Sequence, residues 1–254
     1  MMRRLLTSAR RRAWLLWFRL AEWVYLPESS LRLAERFLRK YHQHLFKRDW
    51  GGWRQLPDWY DHRIDLFTWS QHRNGHWVER GIYSAQVMRP GCTVLDLSCG
   101  DGFYPYYFFT EIAEAIDAID MDPRAITHCR KYHAHQKIHY VCADIITNDF
   151  PRDRYDVVTW DGAIGHFSPA EIEAVMKKIA KALGASGVLT GYEELQTEEE
   201  RSWDHKIAID SAEAMRRLLG RFFSHVRILT SNSPGRRNAY FRCSQDPGRL
   251  TAFE

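Results

Sequence analysis

Short apolar runs alternate with longer amphipathic stretches from about residue 92 onward. Strands are predicted at 93–97, 115–119, 139–143, 155–160, 187–191, 225–231 and 238–243. The last two flank a turn signal, Ser233-Pro234-Gly235. Helices are predicted at about 104–115, 169–183 and 211–223. Strands that alternate with helices in this way predict an α/β fold with a doubly wound, mostly parallel sheet.

The pattern before this region is different. Residues 1–25 place Leu and Trp on one side of a helix and arginines on the other, which predicts a basic amphipathic helix. A second helix is expected after Pro27, and residues 46–80 look irregular and rich in tryptophan. We therefore predict a helical arm at 1–50, an aromatic lid or linker at 51–85, and one larger domain at 86–254.

Charge is distributed unevenly along the chain, whose formal net charge is +4. Residues 1–50 contain 12 Lys and Arg against 4 Asp and Glu, a net +8, so the remainder carries 4 − 8 = −4. A basic arm favours contact with an anionic partner, such as lipid headgroups, a phosphorylated glycan, nucleic acid or an acidic protein. A solvated basic helix with no partner is an equal alternative.

The apolar run 13–18 is far shorter than the roughly 18 residues that a membrane span needs. Arg19 and Glu22 interrupt it where a secretory signal would continue. A transit peptide, a helix lying on a membrane surface, and a helix packed on its own domain or on a partner subunit stay open as alternatives. The five cysteines include no CxxC pair, so we predict no disulfide framework, no metal site and a cytoplasmic location.

Four consecutive predicted strands end at an acidic residue, namely Asp96, Asp120, Asp144 and Asp161. Glycines after the first of these strands let the backbone approach a ligand and leave helix N-terminal amides facing it. Asp96 and Asp120 are 24 residues apart, and a carboxylate at such a position accepts hydrogen bonds from ribose hydroxyls in dinucleotide folds. Because ligands bind beyond the carboxyl ends of parallel strands, this edge of the sheet is the predicted site.

Four segments extend this pattern: VLDLSCGDG (94–102), AIDMDP (118–123), CADI (142–145) and YDVVTWDGAIGHF (155–167). In this order they resemble the motifs of class I, Rossmann-like S-adenosylmethionine-dependent methyltransferases, over about residues 75–245. The resemblance implies a seven-stranded sheet with an antiparallel last strand, and S-adenosylmethionine as cofactor. A nucleotide-binding fold with another cofactor is the alternative, and the absence of GxGxxG from the first turn disfavours it.

The resemblance also implies roles for individual residues. Asp96, Ser98 and Gly100 are expected to line the methionine part of the cofactor, and Asp161 and Gly162 to close that end. The nucleoside end is assigned to Asp120 at the ribose, Met121 against the adenine, Asp144 at the adenine amino group, and the adjacent Ile145. Ser98 departs from the family, which usually has a glycine there, and it fits without strain only with ordinary backbone angles.

Methyl transfer is an in-line displacement in which positioning carries most of the rate. A hydroxyl acceptor must also lose its proton, and a base then contributes about 10²–10⁴-fold. Candidate bases are His166 after the fourth strand, Glu193 or Glu194 after the fifth, and His205 in the following loop, while Tyr192 could orient a substrate.

The sequence gives less information about the methyl acceptor than about the cofactor. WDGA stands where amino-methylating nucleic-acid enzymes of this family would have an N-P-P-Y or D-P-P-Y motif, so a nucleic acid substrate is disfavoured. Trp53, Trp59, Trp69 and Trp77 could stack on a sugar face or a planar ring. We expect a hydroxyl on a small molecule or glycan. The rival interpretation is a catalytically weak cofactor-binding subunit that docks on a partner or membrane through its arm.

Overall fold

The computed structural model describes residues 13–17, 19–20, 28–50, 75–233 and 235–250. The chain divides into two compact units, Met1–Leu56 and Pro57–Glu254. In the first unit, residues 13–17 and 19–20 are helical, and helix α1 spans Glu28–Trp50. The rest of the predicted amphipathic helix lies outside the described residues. No helix in the described part of the chain is long and apolar enough to cross a membrane.

A seven-stranded sheet forms the centre of the second unit, with the order β3-β2-β1-β4-β5-β7-β6. Its strands are β1 (Thr93–Leu97), β2 (Ala115–Asp120), β3 (Ile138–Cys142), β4 (Val157–Trp160), β5 (Val188–Glu194), β6 (His225–Ser233) and β7 (Arg236–Ser244). The first five strands are parallel, and β7 runs antiparallel between β5 and β6. This confirms the predicted sheet, and it places the reversal of strand order between β1 and β4.

The helices of this unit are α2 (His76–Ala85), α3 (Pro123–Tyr132), α4 (Pro169–Leu183) and α5 (Ala212–Leu219). A π-helix spans Pro105–Phe109, and 3₁₀ turns span Ile164–His166 and Pro247–Arg249. Helix α4 begins where predicted because Ser168 and Glu171 form a capping box, in which the Glu171 carboxylate accepts from the Ser168 amide at 2.7 Å.

The core is divided between the two faces of the sheet, since successive side chains of a strand point to opposite faces. Leu95 and Leu97 of β1 pack in one cluster with the apolar side of α4. Val94 packs in a second cluster with Trp77 of α2 and Phe103. Asp96 alternates with the two leucines, so its carboxyl group lies on the Val94 face. The alternation of side chains along β1 therefore decides on which face of the sheet the Asp96 side chain lies.

Several predicted boundaries are wrong. The helix expected at 104–115 is a π-helix that ends at Phe109, in a segment where Pro105 supplies no amide donor. The fifth strand continues to Glu194, because β7 pairs with it over that length, so Glu193 and Glu194 lie within the strand and not after it. Residues 46–50 and 76–80, expected to be irregular, belong to α1 and α2. The domain limits at 50 and 85 stay predictions.

Candidate functional site

Asp96, near the end of β1, has a carboxylate of which only one oxygen has a hydrogen-bond partner among the described residues. Asp96 is 3% exposed, and its Oδ1 accepts a hydrogen bond from Thr159 Oγ1 of β4 at 2.5 Å. Its Oδ2 is buried and has no hydrogen-bond partner among the described residues. Burial raises the pKa of Asp96 to about 7, against the lowering effect of the Thr159 hydrogen bond. One oxygen of Asp96 is therefore available to a donor on a ligand.

Ser98 has a left-handed backbone conformation, with φ of 59°. It is the one residue other than glycine with a positive φ in the described part of the chain. The sequence analysis required ordinary backbone angles for a serine to fit at this position without strain. The observed φ of Ser98 is not ordinary. An L-residue in this region costs about 1–2 kcal/mol, so the turn after β1 is strained where the family usually has glycine.

Asp120 holds this turn against the end of β2. Its Oδ2 accepts from the Gly100 amide at 3.0 Å, and its Oδ1 accepts from the Asp122 amide at 2.8 Å. Burial raises the pKa of Asp120 to about 6, although both amides stabilise its carboxylate. Each oxygen keeps a further lone pair. Asp120 can therefore still accept hydrogen bonds from a ligand, so its assignment to the ribose stays a prediction, and it also fixes the Gly100 loop.

The fourth strand ends at a buried ion pair that the sequence did not predict. Nε of Arg80, from α2, donates to Oδ2 of Asp161 at 2.7 Å, and Nη2 contacts the same oxygen. Burial, the largest single influence, lowers the pKa of Arg80, but the charge and hydrogen bond of Asp161 together with the Tyr104 and Tyr192 phenols raise it overall. Gly162 has φ of 63°, and a Cβ there would lie 2.5 Å from Arg80 Nη2. Glycine at 162 is thus what lets the guanidinium approach the backbone.

A small pocket, with a cavity of about 40 Å³, opens between these groups. It is lined by Trp77, Arg80, Asp96, Ser98, Cys99, Gly100, Asp101, Tyr104 and Asp161. Four of the nine predicted cofactor residues, Asp96, Ser98, Gly100 and Asp161, line it directly. Of the predicted aromatic wall, Trp77 lines the pocket, whereas Trp53, Trp59 and Trp69 lie outside the described residues.

The remaining predicted cofactor residues lie beside this pocket or further along the same edge. Met121 follows β2 and is 69% exposed, so its apolar side chain is accessible to a planar ring. Asp144 accepts from the Ile146 amide at 2.8 Å through Oδ1, so it shapes the turn after β3. The side chain of Ile145 packs in the core, so only its backbone can reach a ligand.

The structure brings two of the candidate bases together. The His166 and His205 rings meet edge to face with centroids 4.6 Å apart. His166 Nδ1 lies 3.3 Å from the Asp204 backbone oxygen and 3.8 Å from its Oδ2. Burial, and then the His166 charge, lower the pKa of His205. The side-chain atoms of His166, Asp204 and His205 that could bind a metal ion lie within 4.8 Å of one another. The prediction of no metal site was based on the cysteines and did not consider this group.

Glu193, the third candidate, lies apart from this pair. It is 3% exposed, and its Oε1 accepts from the Ile164 amide at 2.5 Å. Burial raises the pKa of Glu193 to about 8. Its contact with Ile164 ties β5 to the 3₁₀ turn that carries His166.

Sequence reasoning missed Arg80, Tyr104 and Thr159. One signal existed for Arg80, since it lies three residues after Trp77 and four before Ser84, at helical spacing on the buried side of α2. A basic residue on a buried helix face requires an acidic partner. Nothing in the sequence showed that this partner is Asp161.

The pocket residues fit S-adenosylmethionine. The unpartnered Asp96 Oδ2 can accept from the ligand's ammonium group, and three lining carboxylates suit a ligand that carries ammonium and sulfonium charges. The same carboxylates disfavour a phosphate-bearing dinucleotide in this pocket. The left-handed Gly100 lets the turn approach a bound molecule without a Cβ atom.

Comparison with known proteins agrees with this geometry. Residues 94–187 match the family model described as a methyltransferase domain. The fold resembles the N-methyltransferase NodS from Bradyrhizobium japonicum WM9, at 15% identity and a TM-score of 0.55, over 70% of this chain and 97% of NodS. It also resembles DhpI in complex with SAH, at 15% identity and a TM-score of 0.55, over 82% of this chain and 95% of DhpI.

A third similar structure is human N-acetylserotonin methyltransferase in complex with SAM, at 13% identity and a TM-score of 0.52, over 69% of this chain and 55% of that one. A search of curated proteins finds no match. At these identities the structural likeness establishes the fold. Residues 94–187 thus carry a methyltransferase domain, and the fold is the one seen in these solved methyltransferase structures. The protein is an enzyme that uses S-adenosylmethionine as its cofactor.

Proposed function

We propose that the enzyme transfers the methyl group to a hydroxyl on a small molecule or glycan. The observation that carries this proposal is the His166–His205 pair on the loops after β4 and β5. These loops lie at the carboxyl edge of the sheet, the edge that also holds the cofactor pocket.

A hydroxyl acceptor needs a proton acceptor as well as correct placement. S-adenosylmethionine supplies an electrophilic methyl group on a sulfonium sulfur. The chain's part is to hold the acceptor oxygen in line with that group and to receive its proton. A neutral imidazole can receive this proton. The lowered pKa of His205 keeps its ring neutral at physiological pH.

Within the pair we assign His166 to the acceptor proton, and His205 to supporting it. Asp204 lies beside Nδ1 of His166 and can orient that ring. Glu193 is assigned to positioning, because its contact is with the Ile164 amide two residues before His166. In this assignment Glu193 sets where His166 lies but does not touch the acceptor.

The test is a transfer assay on matched acceptor pairs, in which phenols, sugars and a glycan are each compared with the corresponding amine. We expect methylated product and an equal amount of S-adenosylhomocysteine from a hydroxyl acceptor. His166→Gln should lower kcat about 10²–10⁴-fold without weakening S-adenosylhomocysteine binding. His225→Gln, in β6 away from the pair, is the control.

Transfer to amines alone would refute the hydroxyl assignment, and similarity to an N-methyltransferase makes amines the necessary comparison. Tight cofactor binding without product from any acceptor would instead favour a cofactor-binding subunit.

For the first unit we propose a peripheral membrane contact on the cytoplasmic side. Trp14, Leu16, Trp17 and Leu20 are each at least 65% exposed on helical segments. On α1, Leu33, Phe37 and Tyr41 are also exposed, at intervals of four residues along one face. Exposed apolar side chains next to many arginines are typical of helices that lie at an anionic lipid surface.

Sedimentation with anionic and neutral vesicles tests this contact. The double variant Trp14→Ser with Trp17→Ser should lose pelleting with anionic vesicles. Trp203→Ser is the matched control, because Trp203 is 87% exposed in the second unit. Equal pelleting of all three proteins, or none by the unmodified chain, would contradict the proposal.

A further inference from the structure

Two histidines and an aspartate lie together where the loop after β5 meets the turn after β4. Their metal-binding atoms, one each from His166, Asp204 and His205, lie within 4.8 Å of one another. The two imidazole rings are nearly perpendicular, with an interplanar angle of 87°. The side chains of His166 and Asp204 are 37% and 41% exposed, so an ion can reach them from solvent.

Backbone hydrogen bonds hold this loop against the turn. The amides of Lys206 and Ile207 donate to the Gly165 carbonyl oxygen at 2.8 and 3.3 Å. Lys206 also forms an ion pair with Glu171 at the start of α4, in which Nζ lies 2.7 Å from Oε2. Because these contacts already bring the three side chains together, an ion would bind without the entropic cost of ordering the loop.

Glycine at position 165 is what lets the His205 ring lie beside His166. A Cβ at Gly165 would be 2.6 Å from His205 Nδ1 and 2.9 Å from its Cε1. A larger residue would therefore push the imidazole aside. The obstacle is a side chain on a loop and not backbone, so the ring would move while the sheet behind it stayed in place.

The hydrogen bonding of His166 determines which of its nitrogens has a lone pair. Its Nδ1 lies 3.3 Å from the Asp204 carbonyl oxygen. A carbonyl oxygen only accepts, so Nδ1 carries the proton and the lone pair of the neutral ring is on Nε2. Metal-binding histidines almost always donate their other ring N–H to such an oxygen. His166 thus has the tautomer of a metal ligand.

The chemistry of the three side chains selects one class of ion. Imidazole nitrogen suits transition-metal ions such as Zn²⁺, whereas Mg²⁺ and Ca²⁺ prefer oxygen ligands. Two histidines and one carboxylate are a ligand set that binds Zn²⁺ and leaves a coordination position open. The carboxylate of Asp204 also compensates part of the charge of a divalent cation.

We propose that His166, Asp204 and His205 form a binding site for a divalent transition-metal ion such as Zn²⁺, and that its occupancy blocks methyl transfer. The block rests on the proposed function, in which His166 receives the acceptor's proton. The proton and the ion need the same Nε2 lone pair, so His166 cannot bind both. Binding of the ion itself does not depend on the methyl acceptor.

Titration calorimetry of the full chain with Zn²⁺ measures the site without turnover. We expect one ion per chain in the tightest binding step, and no such step with Mg²⁺. His205→Gln should weaken zinc affinity by at least about 100-fold, because even partners outside the coordination sphere contribute about 10–100-fold. His225→Gln is the matched control, since His225 lies in β6, and its zinc affinity should equal that of the unmodified chain.

Gly165→Ala tests the geometry with all three ligands retained. By displacing the His205 ring it should weaken zinc affinity by about 10-fold or more. Cobalt(II) supplies a spectroscopic readout, because its coordination by histidine nitrogen in a site of low coordination number produces visible absorption bands. These bands should appear with the unmodified chain, disappear when Zn²⁺ is added, and be lost in His205→Gln.

The outcomes separate the metal site from the proposed function. A lack of saturable zinc binding by the unmodified chain, or equal affinity in His205→Gln, would overturn the site. Transfer to a hydroxyl acceptor should stop as zinc binds and resume when a chelator removes it. Transfer that continues with zinc bound would retain the site but overturn the block, and with it the assignment of the acceptor's proton to His166.

Discussion

Replacing Ser98 by glycine tests the strain in the turn after β1. Ser98 has φ of 59°, a conformation that costs an L-residue about 1–2 kcal/mol and costs glycine almost nothing. Glycine also adds freedom to the unfolded chain, which removes about 0.4–1 kcal/mol of the gain. The central values, about 1.5 and about 0.7 kcal/mol, leave a net stabilisation of about 0.8 kcal/mol, or a rise in Tm of about 2–3 °C.

The assay is urea unfolding followed by circular dichroism, with Ser98→Ala as the matched variant. Alanine keeps Cβ and therefore the strain, but it loses the hydroxyl. Comparing Ser98→Gly with Ser98→Ala thus isolates the backbone effect from any contact of the hydroxyl. We expect the glycine variant to be the more stable of the two by at least about 0.5 kcal/mol.

Equal stability of the two variants would refute the reasoning, because the energy stored by the positive φ would then be no larger than the loss of about 0.4–1 kcal/mol that glycine brings through the unfolded chain. Affinity for S-adenosylhomocysteine provides a functional readout of the same pair. If the strained serine is retained for its hydroxyl, both variants will bind more weakly. Unchanged affinity would show that the hydroxyl makes no contribution to the site.

Three further predictions concern the turn after β1 and the carboxylates beside it. Gly102→Ala should destabilise the fold by more than about 2 kcal/mol in urea unfolding, since its Cβ would lie 2.9 Å from Tyr140 Oη at a φ of 77°; a smaller loss would show that the turn can shift. Affinity for S-adenosylhomocysteine should rise from pH 5.5 to 7.5, about the range set by pKa values near 7 for Asp96 and near 6 for Asp120. The ligand's hydrogen bonds favour the ionised carboxylates, so binding should release protons. Calorimetry in buffers of different ionisation enthalpy should detect this release. Proton uptake on binding would contradict the prediction. Asp120→Asn should weaken that affinity by about 10- to 100-fold, whereas Asp117→Asn, in the same strand but bonded to other partners, should affect stability and leave affinity unchanged.

The sequence by itself determined the sheet and the acidic residues along its carboxyl edge. Strand β1 was predicted at its observed limits because its apolar residues lie between Gly91-Cys92 and the turn Ser98-Cys99-Gly100, which mark its ends locally. Helix α4 was predicted likewise, since Pro169 and Gly184 mark its ends locally. Local signals of this kind do not depend on distant parts of the chain.

Only the tertiary structure decided the left-handed angle of Ser98, the length of β5 and the partners of each carboxylate. Strand β5 extends because β7, more than forty residues later in the chain, pairs with it through Glu194. Arg80 meets Asp161 across 81 residues, and His166 meets His205 through a loop with no periodic pattern. These contacts arise from packing between distant segments, and their energies depend on burial, which periodicity and spacing do not contain. The sequence therefore determined the class of the site, whereas the distribution of charge within it was decided by the folded chain.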